Sequence, residues 1–458
     1  MRRRLTLLLS YAIALSTTAA VAADKPNVLL FFVDDMGAAD LGCFGSDLYR
    51  TPHLDKLAAQ GAKFTRAYAS APVCSPTRAA LLTGKAPARL HLTDWLRGGL
   101  KPYAKLRVPD WTMGLPETEP TLGTMLKANG YATAWLGKWH LGGDTQAFGF
   151  DAGNQDWEHN RKDDPADVKG AFTLNAEAQK FIQAAGGKPF FVAISHYSPH
   201  GPIRFDPKLR DEYQKLIDQK KPRQTNAGYA AMIEALDTSV GRMLTWLDGR
   251  GLAEKTLVIF TSDNGGVSSF TNNYPLREQK GTLYEGGVRV PMIARWPGHI
   301  PTGSTNTTRF ASADLLPTLA VLTAATPPKD IDGQDLSTAF QTGESLNRGP
   351  LYWHYPHYHN GKPAGAILAG DLKLIEWFET GETELYDLST DPSEQTDLSA
   401  KQPEAAAKLL ADLKAWRTKV GAQMPTANPN HDAAREKEGP PKKPKPAKGK
   451  KAKDDADE

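Results

Sequence analysis

The sequence predicts an α/β protein. A large domain has a mostly parallel central sheet flanked by helices, and a smaller C-terminal α+β domain has an antiparallel sheet. Three observations carry this. Short continuous apolar runs, at Asn27–Val33, 189–196 and Thr256–Ser262, read as strands buried on both faces. Longer stretches with apolar residues at helical spacing lie between them, and strands alternating with helices build parallel sheets. From about Arg348 the texture changes to short strand-like segments close in sequence, the pattern of an antiparallel sheet.

The 458 residues are 40% hydrophobic and 23% charged, a globular composition with room for a large core. The formal charge of +3 is small and gives no reason to expect nucleic acid as a partner. Arg2, Arg3 and Arg4 precede an apolar run that ends near Leu15, and Ala20-Val21-Ala22 supplies a small-residue cleavage site. Residues 1–22 therefore read as an export signal, which implies a periplasmic or secreted protein. The run is too short for a stable membrane span. The two cysteines, Cys43 and Cys74, exclude a disulfide-stapled scaffold. Cys43 is expected to be buried and inert.

Taken in order, the elements are these. Pro52 opens a helix after Thr51. Ala79, Ala80, Leu81 and Leu82 make the stretch from Thr77 helical, so Cys74 falls near a helix N-terminus, where the backbone favours an anion. Residues 120–129 are a helix and 130–137 a strand, with Lys138 and His140 at its far end. Their i, i+2 spacing puts both on one face if the strand continues. Helices follow at 172–185, 229–247 and 314–319. The smaller domain shows strands at 351–354, 365–368, 372–377 and 383–387, then a helix at 403–420. The domains read as 24–347 and 348–424. Residues 425–458, rich in lysine and proline, form a tail expected to be disordered.

Chemistry gathers where strands end. Asp34-Asp35 follows the first strand and Asp263-Asn264 follows Thr256–Ser262, at the carboxyl ends where open α/β sheets bind ligands. Adjacent carboxylates repel, so each pair needs a cation or a proton. Three aspartates and an asparagine form an oxygen-only set suited to Ca²⁺, with Mg²⁺ as the other choice. Either acid pair alone also fits a helix cap or a turn. Cys74 alone also fits a small buried apolar residue. Lys138, His140, Lys280 and His200, the last between Pro199 and Pro202, are candidate site cations. Each of these alone is also an ordinary lysine or histidine.

Six segments, in order from 27 to 298, together resemble the formylglycine-dependent (type I) sulfatases of the alkaline phosphatase superfamily. The core of the resemblance is Cys74-Ser75-Pro76-Thr77-Arg78, extended by Ala79-Ala80-Leu81-Leu82-Thr83-Gly84. Gly130-Tyr131-Ala132-Thr133-Ala134-Trp135-Leu136-Gly137-Lys138-Trp139-His140 is similar to the second signature of that family. Pro199-His200-Gly201-Pro202 and Lys280-Gly281-Thr282-Leu283-Tyr284-Glu285-Gly286-Gly287 add two more elements.

The resemblance implies that Cys74 is oxidised after translation to Cα-formylglycine by a formylglycine-generating or an anaerobic maturation enzyme. In the family one hydroxyl of the hydrated aldehyde attacks sulfur and the other expels sulfate. It also implies a metal held by Asp34, Asp35, Asp263, Asn264 and residue 74, with Asp263 able to take the nucleophile's proton. Arg78 and Lys138 would stabilise the hydrated aldehyde. His200, assisted by Lys280, would be the general acid, and His140 the base that releases sulfate. Lys138, His200 and Lys280 would contact the substrate. Loop position adds Trp95, Arg97 and His354, with His357 and His359, as candidates for the pocket mouth. Sulfated carbohydrate, of galactose or hexosamine type, is the expected substrate. The alternatives are a phosphonate or phosphate monoester hydrolase of the same superfamily and a non-catalytic binder of sulfated glycans.

Overall fold

The computed structural model describes residues 25–96, 98–153 and 164–439. The export signal expected at 1–22, Arg97 and the end of the C-terminal tail lie outside the described residues. Among the described residues, no helix is long and apolar enough to cross a membrane.

Nine strands of the described chain form one sheet. The strand Asn27–Val33 lies at its centre, parallel both to Phe190–Ser195 and to Thr256–Ser262. Ala132–Gly137 extends the parallel set beyond Phe190–Ser195. On the other side, Arg289–Arg295 runs antiparallel between Thr256–Ser262 and Ala62–Tyr68. The central strand shows why its sequence is apolar throughout. Val28, Leu30 and Phe32 enter the core on one face, and Leu29, Phe31 and Val33 enter the core on the other. Side chains alternate along a strand, so a strand covered on both sides needs an apolar residue at every position. Helices Pro52–Ala59, Ala171–Ala184 and Ala227–Gly249 bury Leu54, Leu174 and Leu236 in the second of these cores. Helices Cys74–Thr83, Leu122–Ala128 and Leu315–Leu322 bury Leu82, Leu126 and Leu319 in the first.

The smaller domain is a four-stranded antiparallel sheet of Leu351–Tyr355, Ala364–Ala369, Leu372–Trp377 and Thr383–Asp387, in chain order. Trp353, Tyr355 and Ile375 pack against Tyr68, Val73 and Leu283 of the larger domain. Ile367, Leu374 and Leu385 pack under helix Pro403–Val420 through Leu409 and Leu413. A fully buried ion cluster spans the junction. Lys373 Nζ lies 2.9 Å from Glu285 Oε1 and 2.8 Å from Glu394 Oε1. Glu394 also accepts the Glu285 backbone N–H at 2.7 Å. Burial pushes the Glu394 carboxyl up to about 7 despite Lys373.

Two expectations are corrected here. The strand that carries Lys138 and His140 stops at Gly137, which has φ 98°. A Cβ there would stand 2.1 Å from the Ser195 carbonyl oxygen, so only glycine fits the turn. His140 then has φ 58°, and the pair is placed by a loop rather than by strand alternation. The second correction concerns the tail, whose chain stays on the fold past Pro425. Thr426–Ala427 pairs antiparallel with Leu106–Arg107, and Asn428 Nδ2 donates to the carbonyls of Pro102 and Ala104. Arg435 lies over the Tyr103 ring at 3.5 Å. These contacts are backbone pairing and stacking, which a low-complexity composition does not announce.

Candidate active site

Cys74 is the first residue of helix Cys74–Thr83, all of which is buried. Two side chains of the same motif fix its approach. Thr77 Oγ1 donates to the Ala71 carbonyl and accepts the Ala71 N–H, at 2.9 and 3.1 Å, folding the incoming loop onto the first turn. Ser75 Oγ accepts the Leu96 N–H at 3.2 Å, tying in the loop of Trp95.

The strand ends deliver the carboxylates. Asp34, Asp35, Cys74 and Asp263 each offer a ligand atom, and these four atoms lie within 4.8 Å of one another. Cys74 Sγ is 3.7 Å from Asp34 Oδ1, 3.5 Å from Lys138 Nζ and 3.3 Å from Lys280 Nζ. Lys138 Nζ also donates to Asp34, and Lys280 Nζ donates to Asp35 Oδ1 at 2.6 Å. Asn264 Nδ2 donates to Asp35 Oδ1 at 2.8 Å, whereas its buried Oδ1 has no hydrogen-bond partner among the described residues. An orphan acceptor beside three buried carboxylates is the donor set a hard divalent cation satisfies, so these residues fit Ca²⁺ or Mg²⁺.

Arg78 organises the floor. Its Nε and Nη2 donate to Asp263 Oδ2 at 3.0 and 2.7 Å, and its Nη1 donates to Ser195 Oγ and to the Lys138 carbonyl at 2.8 and 3.0 Å. That carbonyl also accepts Ser195 Oγ at 2.7 Å and Trp135 Nε1 at 2.9 Å. Ser195, at the end of the strand Phe190–Ser195, is thus a member of the site that sequence reasoning missed. Nothing local marks it, because its partners come from two distant segments.

The charges interact strongly. Burial raises the Asp34 carboxyl, but Lys138, His200, Arg78 and Lys280 outweigh it and hold it well below the usual range. Burial, with Asp34 beside it, pushes Asp263 up to about 6 in spite of Arg78. Burial pushes the Cys74 thiol up to about 12, although Lys138 and Lys280 oppose this. A thiol so placed has little thiolate at neutral pH, and the thiolate is the nucleophilic form. Burial, then Lys138 and Arg78, lowers His140 to about 3, so its imidazole is neutral. His200 stands at the mouth with 38% of its side chain exposed, Nε2 3.7 Å from Asp35 Oδ2.

The candidate rim residues divide. Trp95 is half-buried against the core of the smaller sheet, in the loop tied to Ser75. Arg97 is outside the described residues. His354 is buried, its Nε2 bonded to the Gln423 carbonyl at 2.8 Å and its ring against Phe378, so it is no part of the mouth. His357 is buried on Thr93 Oγ1 at 2.8 Å. His359 is exposed, and its Nδ1 lies 2.7 Å from where a Gly281 Cβ would be, beside Lys280. Cys43 is half-buried and free, and burial pushes its thiol up to about 12.

A nucleophile position among carboxylates and cations, at the carboxyl ends of such a sheet, is a candidate catalytic site where open α/β sheets bind ligands. Comparison with known proteins narrows this. The family model "Sulfatase" matches residues 26–325, and that of the N-sulphoglucosamine sulphohydrolase C-terminal region matches residues 278–420. The chain is 32% identical to a sulfatase of Formosa agariphila, over 91% of this chain and 93% of that one. It is 33% identical to N-acetylgalactosamine-6-sulfatase of Mus musculus, over 82% of this chain and 77% of that one. The crystal structure of Ps i-CgsB in complex with k-i-k-neocarrahexaose superposes with a TM-score of 0.73 at 27% identity, covering 90% of this chain and 96% of that one. The chain belongs to the sulfatase family and is a sulfuric ester hydrolase.

Proposed function

We propose that this enzyme hydrolyses O-sulfate monoesters of carbohydrates, with residue 74 working as Cα-formylglycine and a divalent cation, Ca²⁺ or Mg²⁺, in the carboxylate cluster. The observation that carries the reading is Cys74 Sγ within 3.7 Å of Asp34, Lys138 and Lys280 together. The sulfur occupies the place that the hydroxyls of hydrated formylglycine would take. Formylglycine would supply two hydroxyls on one carbon, one to attack sulfur and one to expel sulfate. A cation held by Asp34, Asp35, Asp263 and Asn264 would supply charge against sulfate oxygen and lower the pKa of a hydroxyl beside it.

The chain's own groups do the rest. Arg78 holds Asp263 in place through two bonds to one oxygen. Lys138 and Lys280 bring fixed positive charge to residue 74, where a sulfate monoester needs it as charge builds on the leaving oxygen. His200, exposed at the mouth, gives a proton to the leaving alcohol, with Lys280 assisting. His140, in the same motif as Lys138, accepts the proton whose removal frees sulfate.

Carbohydrate is supported by two of the similar proteins, an N-acetylgalactosamine-6-sulfatase and a structure in complex with a neocarrahexaose. Export through residues 1–22 and maturation by a dedicated enzyme complete the proposal. The test is a panel of galactose and N-acetylgalactosamine sulfates beside aryl sulfate, phosphate and phosphonate monoesters. The reading requires sulfate esters to be the best substrates and Cys74→Ala to be inert. Faster cleavage of a phosphonate would shift the assignment to a phosphonate hydrolase.

A further inference from the structure

Behind the Lys280 segment lies a second cavity, of about 360 Å³, which nothing in the catalytic scheme uses. That is the volume of a small-ligand site. Thr282 and Asn360 line the cavity, and Asn360 Nδ2 donates to the Lys280 carbonyl at 2.7 Å, so the cavity adjoins the segment that brings Lys280 to Cys74. His359 sits against Gly281 in the same segment.

Its lining is that of a sugar site. Trp377 is half-buried there, its Nε1 pinned by Glu384 Oε1 at 3.0 Å. Tyr284 lies beside it with ring centroids 6.0 Å apart, and its hydroxyl is pinned by Glu384 Oε2 at 2.6 Å. Arg277 lies over the Tyr284 ring at 4.0 Å, so the half-buried Trp377 is the fixed ring that offers an apolar face to a pyranose. The charge decides which pyranose. Four carboxylates line the cavity, Glu278, Glu379, Glu382 and Glu384, against two cations, Arg277 and Lys362. Glu384 is taken by Trp377, Tyr284 and Tyr386, and Glu379 by Lys362 and Tyr358, so the exposed Glu278 and Glu382 are the carboxylates that can accept hydrogen bonds from sugar hydroxyls and repel a second sulfate.

We infer that this cavity binds the unsulfated sugar next to the sulfated one, so the enzyme favours an oligosaccharide in which a sulfated residue is joined to a neutral hexose. This rests on the carbohydrate reading above. The test uses galactose carrying one sulfate, at whichever of the 4- or 6-positions the enzyme cleaves. It is supplied alone, linked to neutral galactose, and linked to a sulfated galactose, with 4-nitrophenyl sulfate as reference.

The neutral disaccharide is expected to exceed the other two sugars in kcat/KM by about tenfold or more. Trp377→Ala lowers the ratio of disaccharide to aryl-sulfate kcat/KM by a similar factor, mostly through KM, and Trp377→Phe restores part of it. Glu382→Lys narrows the discrimination between the two disaccharides. Equal rates on all three sugars, or an unchanged ratio in Trp377→Ala, would overturn the inference and leave the carbohydrate reading standing. Cleavage of the aryl sulfate with no cleavage of any sulfated sugar would overturn both.

Discussion

Replacing Arg78 by lysine separates the geometry of this site from its charge. Arg78 is fully buried and donates four hydrogen bonds of 3.0 Å or less. Lysine keeps the positive charge but presents one compact ammonium instead of a planar fork. Placed on Asp263, it retains one carboxylate bond and loses the other, together with the bonds to Ser195 and the Lys138 carbonyl. A hydrogen bond to a charged group contributes about 1.5–3 kcal/mol, and the guanidinium is the donor in every bond lost. The Lys138 carbonyl keeps Trp135 and Ser195, so its loss is the smallest. The second Asp263 bond and the Ser195 bond total about 3–6 kcal/mol, a large part of the ~5–15 kcal/mol by which domains are stable. Arg78 also belongs to the maturation motif, so the comparison is made with Cys74→Ala present in both proteins. Urea unfolding gives the two free energies. A difference below about 1 kcal/mol would refute the argument that the fork, rather than the charge, holds Asp263.

Three further outcomes are expected. His196 is buried against Phe31, and burial lowers it to about 3 from the ordinary 6.5. Its contribution to stability is present above pH 6.5 and is lost as pH falls and the unfolded chain takes up the proton. His196→Phe should therefore reduce the stability difference between about pH 6.5 and pH 5 by about 2 kcal/mol, and urea unfolding at the two pH values checks this. His200→Ala should slow sugar-sulfate cleavage by about a hundredfold or more and aryl-sulfate cleavage much less, because a general acid matters most for a basic leaving oxygen. Equal losses would remove His200 from that role. After chelation, Ca²⁺ at a hundred times its Kd should stabilise the protein by about 2.7 kcal/mol, read as a rise in Tm, and Asp35→Asn should require far more Ca²⁺ for the same rise.

What the sequence reveals here depends on whether a signal is local. The strand Asn27–Val33 is legible because burial on two faces writes itself into every residue, and its end marks where Asp34 and Asp35 emerge. The four short strands of the smaller domain are legible for the same reason. Helix Pro207–Lys220 is harder to read, since its apolar period of Leu209, Tyr213, Leu216 and Ile217 is set among charged and polar residues and Tyr213 is its one buried residue. Lys138 and His140 are legible by motif, but their orientation is not, because a close approach to the Ser195 carbonyl ends their strand at Gly137. His354 looked available in sequence, yet Gln423, nearly seventy residues away, covers it. Ser195 and the cluster of Lys373, Glu285 and Glu394 depend on long-range pairing that no single segment shows.

The central claim is that residue 74 acts as formylglycine. It is tested by mass spectrometry of the peptide containing residue 74 in protein that turns over sulfate ester, with turnover compared across preparations of different conversion. The account predicts a peptide in which one oxygen has replaced the sulfur and two hydrogens of the thiol side chain. It also predicts multiple-turnover activity proportional to the converted fraction. Full multiple-turnover activity from protein whose Cys74 is wholly the unmodified thiol would contradict it.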